Sequence, residues 1–434
     1  MAKNLQQRML RIKLEKSEER LTSLGGLILV EELARAKGLW ERVDELFTRP
    51  GSGRGYKASE YVRPLVWMLT AGGRSLEHVR ELRAEQEVLK ELGMERLPEA
   101  GTFGDWLRRH SRLKGLRATS QLNEEVIADY LSNQGEEVIL DVDATIIEAE
   151  KREAQWTYKK GTRGYHPMLA YVNEVCVHQE FREGNESPGS GAMEFLKASE
   201  SKLPRGKKIY LRSDSAYYQG EVIKHYSVAG RSFSITADQD SAVKAAIKAI
   251  PEDEWIKLCD KDGVATDREI GETVHCMNNM KDSFRLVVVR WANAQLNLFE
   301  QGNYSYHAVA SNRPEEESAT DVLRQHNQRG ESENYHKELK CGYSMEQMPC
   351  GDTQANALYF AIGVLAYNLG AVLKAEVLPE QYLSSTVATL RWQIYRLAGK
   401  LVRHGRSYVL KLKTDAEKFA MFTLARQKCC RLSG

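Results

Sequence analysis

The sequence lacks the marks of secreted, membrane-spanning and repetitive proteins. Its seven cysteines are an odd number, with no Cys-x-x-Cys pair and no histidine near a cysteine at ligand spacing. That pattern argues against a disulfide framework and a structural zinc site, and it favours a reducing cytoplasm. Residues 1–14 lack the apolar stretch of a signal peptide, and the most apolar segment, residues 361–373, is too short to span a bilayer. We therefore expect this segment to be a buried helix, with no membrane role.

Positive and negative charges also nearly balance over the whole chain. The net charge is +2, so the whole-chain balance does not predict a polyanionic partner. The distribution of charge is more informative, because residues 390–431 contain eleven Lys or Arg against two acidic residues, which favours a polyanion. A second stretch, residues 151–163, has five basic residues against Glu153, with Trp156 and Tyr158 between them. A solvated face explains this shorter stretch equally well.

The overall composition is that of a globular protein. Hydrophobic residues make up 42% and charged residues 28% of the chain, close to ordinary values, and the sequence contains no low-complexity tract or repeat. At roughly 150 residues per domain, the length predicts about three domains or one elaborated domain.

Apolar spacing divides the chain into a helical first part and a mixed second part. Up to residue 134, apolar residues recur at three- and four-residue intervals, which predicts helices throughout. From residue 136 the pattern becomes alternating and β-branched, with a hairpin predicted at 166–182 and a further strand at 208–213. Helical patterns follow each later strand. Three antiparallel strands followed by alternating strand and helix are the order expected of a ribonuclease-H-like (retroviral-integrase-like) α/β core.

A β-rich segment interrupts this alternation. Residues 284–291 and 304–311 have strand character and pair naturally across a polar loop, so we expect a β-rich insertion in the core. Two helices, over 330–343 and 353–374, are predicted after it. The predicted domains are a helical N-terminal domain (1–134), the first part of the core (135–250), the insertion (251–316), the second part of the core (317–376) and a basic C-terminal region (377–434).

Three aspartates lie in or directly after predicted strands. Asp141 and Asp143 are two residues apart, so both side chains emerge on one face of their strand. A carboxylate in a core strand is costly unless a cation compensates it, and the alternative is a frayed, solvated strand. Asp214 follows another strand, where active-site carboxylates of α/β sheets collect, although an ordinary helix N-cap explains it equally well.

The first helix predicted after the insertion adds a second group of polar residues. Relative to Glu333, Arg329 lies four residues back, Lys340 seven residues on and His326 seven residues back. At about 100° per residue these positions cover an arc of roughly 60°, so a helix extending back to His326 would present all four together. Arg329 and Glu333 also fit an exposed i,i+4 ion pair. The functional interpretation is favoured because two candidate carboxylates for a two-metal site are already present.

In these residues the sequence resembles bacterial insertion-sequence DDE transposases of the type called transposase DDE domain group 1. The resembling segments are LDVDAT at 140–145, LRSDS at 211–215, and Arg329, Glu333 and Lys340 at the family's Tyr-x2-Arg-x3-Glu-x6-Lys spacing, with His326 in place of the tyrosine. The segments LTAGG at 69–73, LR at 390–391 and VRHGR at 402–406 also resemble the family. The resemblance therefore spans nearly the whole chain.

The resemblance implies that Asp143, Asp214 and Glu333 are catalytic and hold two Mg²⁺ or Mn²⁺ ions. Asp141 is a rival for the first position. Asp143 is favoured because the family's first aspartate is followed two residues later by threonine, as Thr145 follows here. Two divalent ions activate the attacking oxygen and stabilise the leaving oxygen in phosphodiester cleavage, and hard carboxylate oxygens suit these ions.

The resemblance also implies the partners and the place of action. The chain would act in the bacterial cytoplasm, at the nucleoid, on the terminal inverted repeats of its element and on target DNA. It would cut and paste as a homodimer, with the N-terminal helices and the basic C-terminal region binding DNA. The predicted DNA contacts are Arg329, Lys340 and His326 near the cleavage site, Trp291 in the insertion as a base-stacking residue or else a core tryptophan, and Arg403, Arg406 and Lys411 in the C-terminal region.

Two other functions fit parts of the sequence. Residues 141–145 match the Asp-x-Asp-x-Thr opening of haloacid-dehalogenase-type phosphatases, in which the first aspartate is phosphorylated. That family needs a later Gly-Asp-x3-Asp after a strand, and the nearest match, residues 351–356, opens a predicted helix and ends in asparagine. The second alternative is a transposase-derived DNA-binding protein without catalysis, which the intact Asp143, Asp214 and Glu333 disfavour.

Overall fold

A nine-stranded mixed sheet forms the centre of the molecule. The structure, a computed structural model, describes residues 12–51, 55–158, 161–277, 280, 282–293, 304–405 and 407–432. The strands are β1 (Leu21–Thr22), β2 (Glu137–Ala144), β3 (Ile147–Glu148), β4 (Gln155–Trp156), β5 (Arg163–Tyr165), β6 (Met168–Val172), β7 (Val175–Glu180), β8 (Lys208–Ser213), β9 (Arg231–Thr236), β10 (Ile256–Cys259), β11 (Ala265–His275), β12 (Phe284–Ala292), β13 (Tyr304–Ser311), β14 (Gly399–His404) and β15 (Ser407–Leu412). The large sheet has the order β10-β11-β12-β13-β9-β8-β2-β6-β7, and two small sheets have the orders β3-β5-β4 and β1-β14-β15.

Strand β2, predicted from its alternating, β-branched sequence, lies inside the large sheet. It pairs with β6 in the antiparallel direction and with β8 in the parallel direction, and β8 is in turn parallel to β9. The predicted hairpin is confirmed as β6 and β7. Because parallel strands end at the same edge of a sheet, the carboxyl end of β2 with Asp143 lies beside the carboxyl end of β8, which leads into Asp214.

The strands of the predicted insertion continue this sheet. The predicted pairing of the two apolar runs is confirmed, with Leu286 of β12 opposite Ala310 of β13. Strand β13 then pairs with β9, where Val309 lies opposite Thr236. The segment therefore extends the core sheet instead of forming a separate one, and it covers the backbone groups that β9 would otherwise expose as an edge strand.

Helices surround the sheet and fill the N-terminal part of the chain. They are α1 (Ile28–Ala36), α2 (Leu39–Leu46), α3 (Ser59–Ala71), α4 (Gln86–Glu91), α5 (Ala100–Ser111), α6 (Gly115–Ser132), α7 (Ala192–Glu200), α8 (Gly220–Tyr226), α9 (Ser241–Lys248), α10 (Ala319–Asn327), α11 (Gly330–Lys337), α12 (Thr353–Val372), α13 (Val387–Leu390) and α14 (Ala416–Leu432). Helix α12 packs against α3, α5 and α6 on one side and against β7 on the other. The N-terminal helices therefore share one hydrophobic core with the sheet.

Helix α12 is the buried helix that the sequence predicts, although the length argument was wrong. With its π-helical continuation it runs from Thr353 to Val377, and within the described residues this one helix is long and apolar enough to cross a membrane. All of its most apolar window is buried inside the protein. Its polar Asn368 is satisfied there, because its side-chain amide bonds the backbone N–H and carbonyl of Cys176 at 2.9 Å each. Packing within the fold thus accounts for the apolar sequence.

Candidate functional site

Asp143 and Asp214 lie next to each other at the carboxyl ends of β2 and β8. Val142 pairs with Ser213 across the two strands, so the aspartate that follows each of them stands at the same level of the sheet. Burial raises the pKa of both carboxyl groups, and the negative charge of Asp143 raises the pKa of Asp214 further. Two neighbouring carboxylates whose charged forms are disfavoured in the fold are a candidate binding site for cations.

Glu333 faces the same region from helix α11. It lines a cleft of about 290 Å³ together with Asp143, Thr145, His336 and Lys340, and its charge contributes to the raised pKa of Asp143. His336, which lies one turn after Glu333, was not predicted as a site residue. This imidazole is 6% exposed and neither ring nitrogen has a hydrogen-bond partner. Its spacing of three residues from Glu333 on a helix was the available signal.

Two cations reach this cleft. The Arg329 guanidinium lies 3.6 Å from Oδ2 of Asp143, and its charge lowers the pKa of that carboxyl against the larger effect of burial. Lys340 donates from Nζ to the carbonyl of Ile146 at 2.7 Å and to Oγ1 of Thr145 at 3.3 Å. The structure thus brings Glu333 and Lys340 to one cleft with Asp143, and it places Arg329 beside Asp143.

Asp141 points into the protein interior and is fully engaged there. Arg212 donates from Nε to Oδ1 of Asp141 at 2.7 Å and from Nη2 to Oδ2 at 2.6 Å. The carboxylate is 2% exposed. Because both of its oxygens accept from a guanidinium, we remove Asp141 from the proposed metal ligands.

Arg212 also holds the segment that leads to Glu333. Its Nη1 donates to the carbonyl of Gln325 at 2.7 Å, near the end of α10. Arg212 was not predicted as a site residue, although the sequence contains a signal for it. Arg212 stands two residues before Asp214 in its strand, and Asp141 stands two residues before Asp143. Because the two strands pair in parallel, Arg212 and Asp141 lie side by side.

The predicted DNA contact of His326 needs correction. Helix α10 ends at Asn327 and α11 begins at Gly330, so the single stripe expected from a continuous helix is broken before it reaches His326. The imidazole is 3% exposed and bonds Oγ1 of Thr236 at 3.0 Å and Oγ of Ser234 at 3.1 Å. Burial lowers its pKa to about 3. It is a neutral group that ties α10 to β9, turned away from solvent.

The other predicted DNA contacts lie outside the cleft. Trp291 is partly buried against a small apolar cluster of the insertion strands and α10, with the Arg268 guanidinium 5.3 Å from its ring centroid, as the core interpretation of this residue expects. Arg403 and Lys411 are exposed on the β14–β15 hairpin. Arg406 lies outside the described residues.

The carboxylates of Asp143, Asp214 and Glu333 are of the ligand type that divalent cations such as Mg²⁺ prefer. Among the described residues, no group of three or more His, Cys, Asp or Glu side chains lies close enough together to hold a metal ion. Asp143 and Asp214 nevertheless offer neighbouring, half-buried carboxylates, and carboxylate oxygens are what hard ions such as Mg²⁺ and Mn²⁺ prefer. Glu333, which lines one cleft with Asp143, is the candidate third ligand.

Asp214→Asn should raise the unfolding temperature in EDTA at neutral pH. Because the folded-state pKa of Asp214 lies above its ordinary value, the charged form destabilises the fold at neutral pH, and this penalty fades as pH falls toward about 4. Asparagine removes the charge and keeps the bond from the Ala216 N–H. Thermal unfolding in EDTA across this pH range measures the difference.

The control is Asp253→Asn, at an exposed position far from strand β8 in sequence, for which we expect no stabilisation at any pH. Added Mg²⁺ should stabilise the wild type more than Asp214→Asn. A variant less stable than the wild type at neutral pH in EDTA would contradict the unfavourable charge at Asp214.

Comparison with known proteins identifies the family to which this chain belongs. No curated protein matches the sequence. A cryo-EM structure of the piggyBac transposase synaptic complex with hairpin DNA is similar, with a TM-score of 0.46 and 12% identity over 86% of this chain and 80% of that chain. The family described as transposase DDE domain group 1 matches residues 5–433. The chain therefore belongs to the transposase DDE domain group 1 family.

Proposed function

We propose that this transposase cleaves and joins the ends of its own DNA element through Asp143, Asp214 and Glu333, by a cut-and-paste route. The observation that carries the proposal is that Asp143, the strand-end neighbour of Asp214, lines one cleft with Glu333. The substrates are the double-stranded terminal inverted repeats and a target duplex. Because two ends must be held together, we propose a homodimer in the synaptic complex.

We infer that the core is ribonuclease-H-like. The order β7-β6-β2-β8-β9 supports this inference, because three antiparallel strands are followed by two that run parallel to the first. Such an arrangement places the last residues of β2 and β8 at one edge. The glutamate helix then approaches that edge from the far end of the chain.

Each side chain of the cleft has a proposed task. Asp143, Asp214 and Glu333 hold two divalent ions, which supply activation of the attacking oxygen and stabilisation of the leaving oxygen. Arg329, now beside Asp143, is placed to hold a phosphate oxygen once cations neutralise that carboxylate. Lys340 holds the loop after β2 and contributes a point charge to the same cleft. Asp141 is unsuitable as a phosphatase nucleophile because Arg212 occupies both of its oxygens.

The test is cleavage of duplexes that carry the element's own ends. We expect strand cleavage in Mg²⁺ or Mn²⁺ and none in EDTA, measured on denaturing gels. A duplex of unrelated sequence is the control. Binding of the ends without cleavage in either ion would contradict the proposal and favour the DNA-binding protein without catalysis.

A further inference from the structure

Two further depressions are linked to the cleft, one after the other, by shared lining residues. The cleft that Asp143 and Glu333 line shares Lys337 and Cys341 with a depression of about 670 Å³. That depression in turn shares Arg74 with a third one of about 410 Å³. The third depression contains none of the residues that the proposed chemistry uses.

Basic side chains from three separate parts of the chain meet in this third depression. Arg74 follows α3, Arg108 belongs to α5, and Lys151 follows β3. Among the described residues, Arg74 and Lys151 have no acidic ion-pair partner, and Arg108 pairs with the exposed Asp105 at 2.5 Å. The acidic residue of the depression, Glu77, is paired with Arg80 at 3.0 Å. The depression therefore presents an excess of positive charge.

Arg108 and Lys151 converge on one buried point. Both lie close enough to Cys350 to lower the pKa of its thiol, against the larger effect of burial, which raises it. Gly101 lines the same depression, and an added Cβ there would meet no atom within 4 Å. A bulky polyanion can therefore approach both cations without meeting a side chain at this position.

A partly buried arginine, Arg391, fixes the segment of Arg74 relative to the glutamate helix. Arg391 donates to the carbonyls of Leu69 and Thr70 at the end of α3, and to the carbonyl of Gly342 after α11, at 2.7 Å each. Gly72 makes room for this contact, because its φ is +98° and an added Cβ would lie 3.2 Å from Nε of Arg391. The chain that carries Arg74 is thus held beside the end of the segment that carries Glu333 and Lys340.

We propose that the sugar–phosphate backbone of the end DNA, on leaving the cleft, follows Arg74, Arg108 and Lys151. The ligand is a row of phosphates, because within the described part of the chain Arg74 and Lys151 have no acidic partner, Arg108 has only an exposed one, and all three line one depression that is linked to the cleft through shared lining residues. Such contacts orient the duplex and read no sequence. The choice of DNA as the polyanion rests on the proposed function.

The test removes the three charges and measures the salt dependence of binding. A labelled duplex with the element's end and a duplex of unrelated sequence are titrated with the full chain in EDTA at several salt concentrations. Arg74→Gln, Arg108→Gln and Lys151→Gln together should reduce the slope of log K against log salt by about three units. Both duplexes should lose affinity to a similar degree, and the single variant Arg74→Glu should weaken binding in the same direction.

The matched control removes three positive charges at exposed positions that do not line the third depression. Lys197→Gln, Arg205→Gln and Lys208→Gln together alter exposed residues near the start of β8, roughly 20 Å from its Asp214 end, and should leave the slope unchanged. Equal slopes in the two triple variants, with both folded by circular dichroism, would overturn the phosphate path. A wild type that binds but never cleaves overturns the proposed function alone, because the slope is measured without catalysis.

Discussion

Glu333→Gln should abolish strand cleavage while binding of the element's end survives. The substitution keeps the shape of the side chain and removes a charged oxygen from the cleft that it shares with Asp143. Loss of a residue that only supports a metal ligand lowers metal affinity or activity by about 10- to 100-fold. Loss of a ligand itself should therefore lower the cleavage rate by more than about 100-fold. Cleavage of labelled end duplexes in Mg²⁺ and fluorescence anisotropy in EDTA measure the two effects separately.

Glu331→Gln is the matched control for this variant. It removes the same charge from the same helix, at an exposed position that does not line the cleft, and should cleave like the wild type. End binding by Glu333→Gln should equal or exceed that of the wild type, because repulsion between carboxylate and phosphate is reduced. Full Mg²⁺-dependent cleavage by Glu333→Gln would remove this residue from the proposed ligands.

Arg212→Ala should destabilise the fold by about 3–5 kcal/mol, the usual cost of leaving a buried charge without its partner. Asp141 is 2% exposed and both of its oxygens accept from Arg212, so no water replaces the guanidinium without rearrangement. Cleavage should fall as well, because Arg212 holds the end of α10 through Gln325. Urea unfolding measures the stability, and cleavage is assayed at a temperature at which the variant is folded.

The double variant Asp141→Leu with Arg212→Met separates stability from positioning. Replacing a buried ion pair by apolar residues of similar size is often neutral, so most of the lost stability should return. Cleavage should stay low, because the contact to the Gln325 carbonyl is still missing. A double variant that recovers both stability and cleavage would show that Arg212 does not position the glutamate helix. An Arg212→Ala variant as stable as the wild type would contradict the buried ion pair.

The sequence by itself determined much of the secondary structure and singled out Asp143, Glu333 and Lys340 among the residues of the cleft. Apolar spacing reports which face of an element is buried, and it located β2, the β6–β7 hairpin and β8. Strand order then places Asp143 and Asp214 together, because their strands are parallel neighbours. The spacing of Arg329, Glu333 and Lys340 is a local property of one helical segment, so it too could be read from the sequence.

Tertiary structure alone decided which charged residues face the cleft and which face inward. Asp141 and Asp143 share a strand face, yet only the pairing of β2 with β8 sets Arg212 opposite Asp141. The turn after Asn327 decided that His326 meets β9, because two residues outside the helix change the direction of every earlier side chain.

Contacts between distant segments were likewise beyond the sequence. Arg391 meets the end of α3 across more than three hundred residues, and Arg74, Arg108 and Lys151 converge from separate elements. Periodicity describes how one element meets an apolar core, and it contains no information on which distant partner supplies that core. The path proposed for the DNA backbone therefore became visible only in the folded chain.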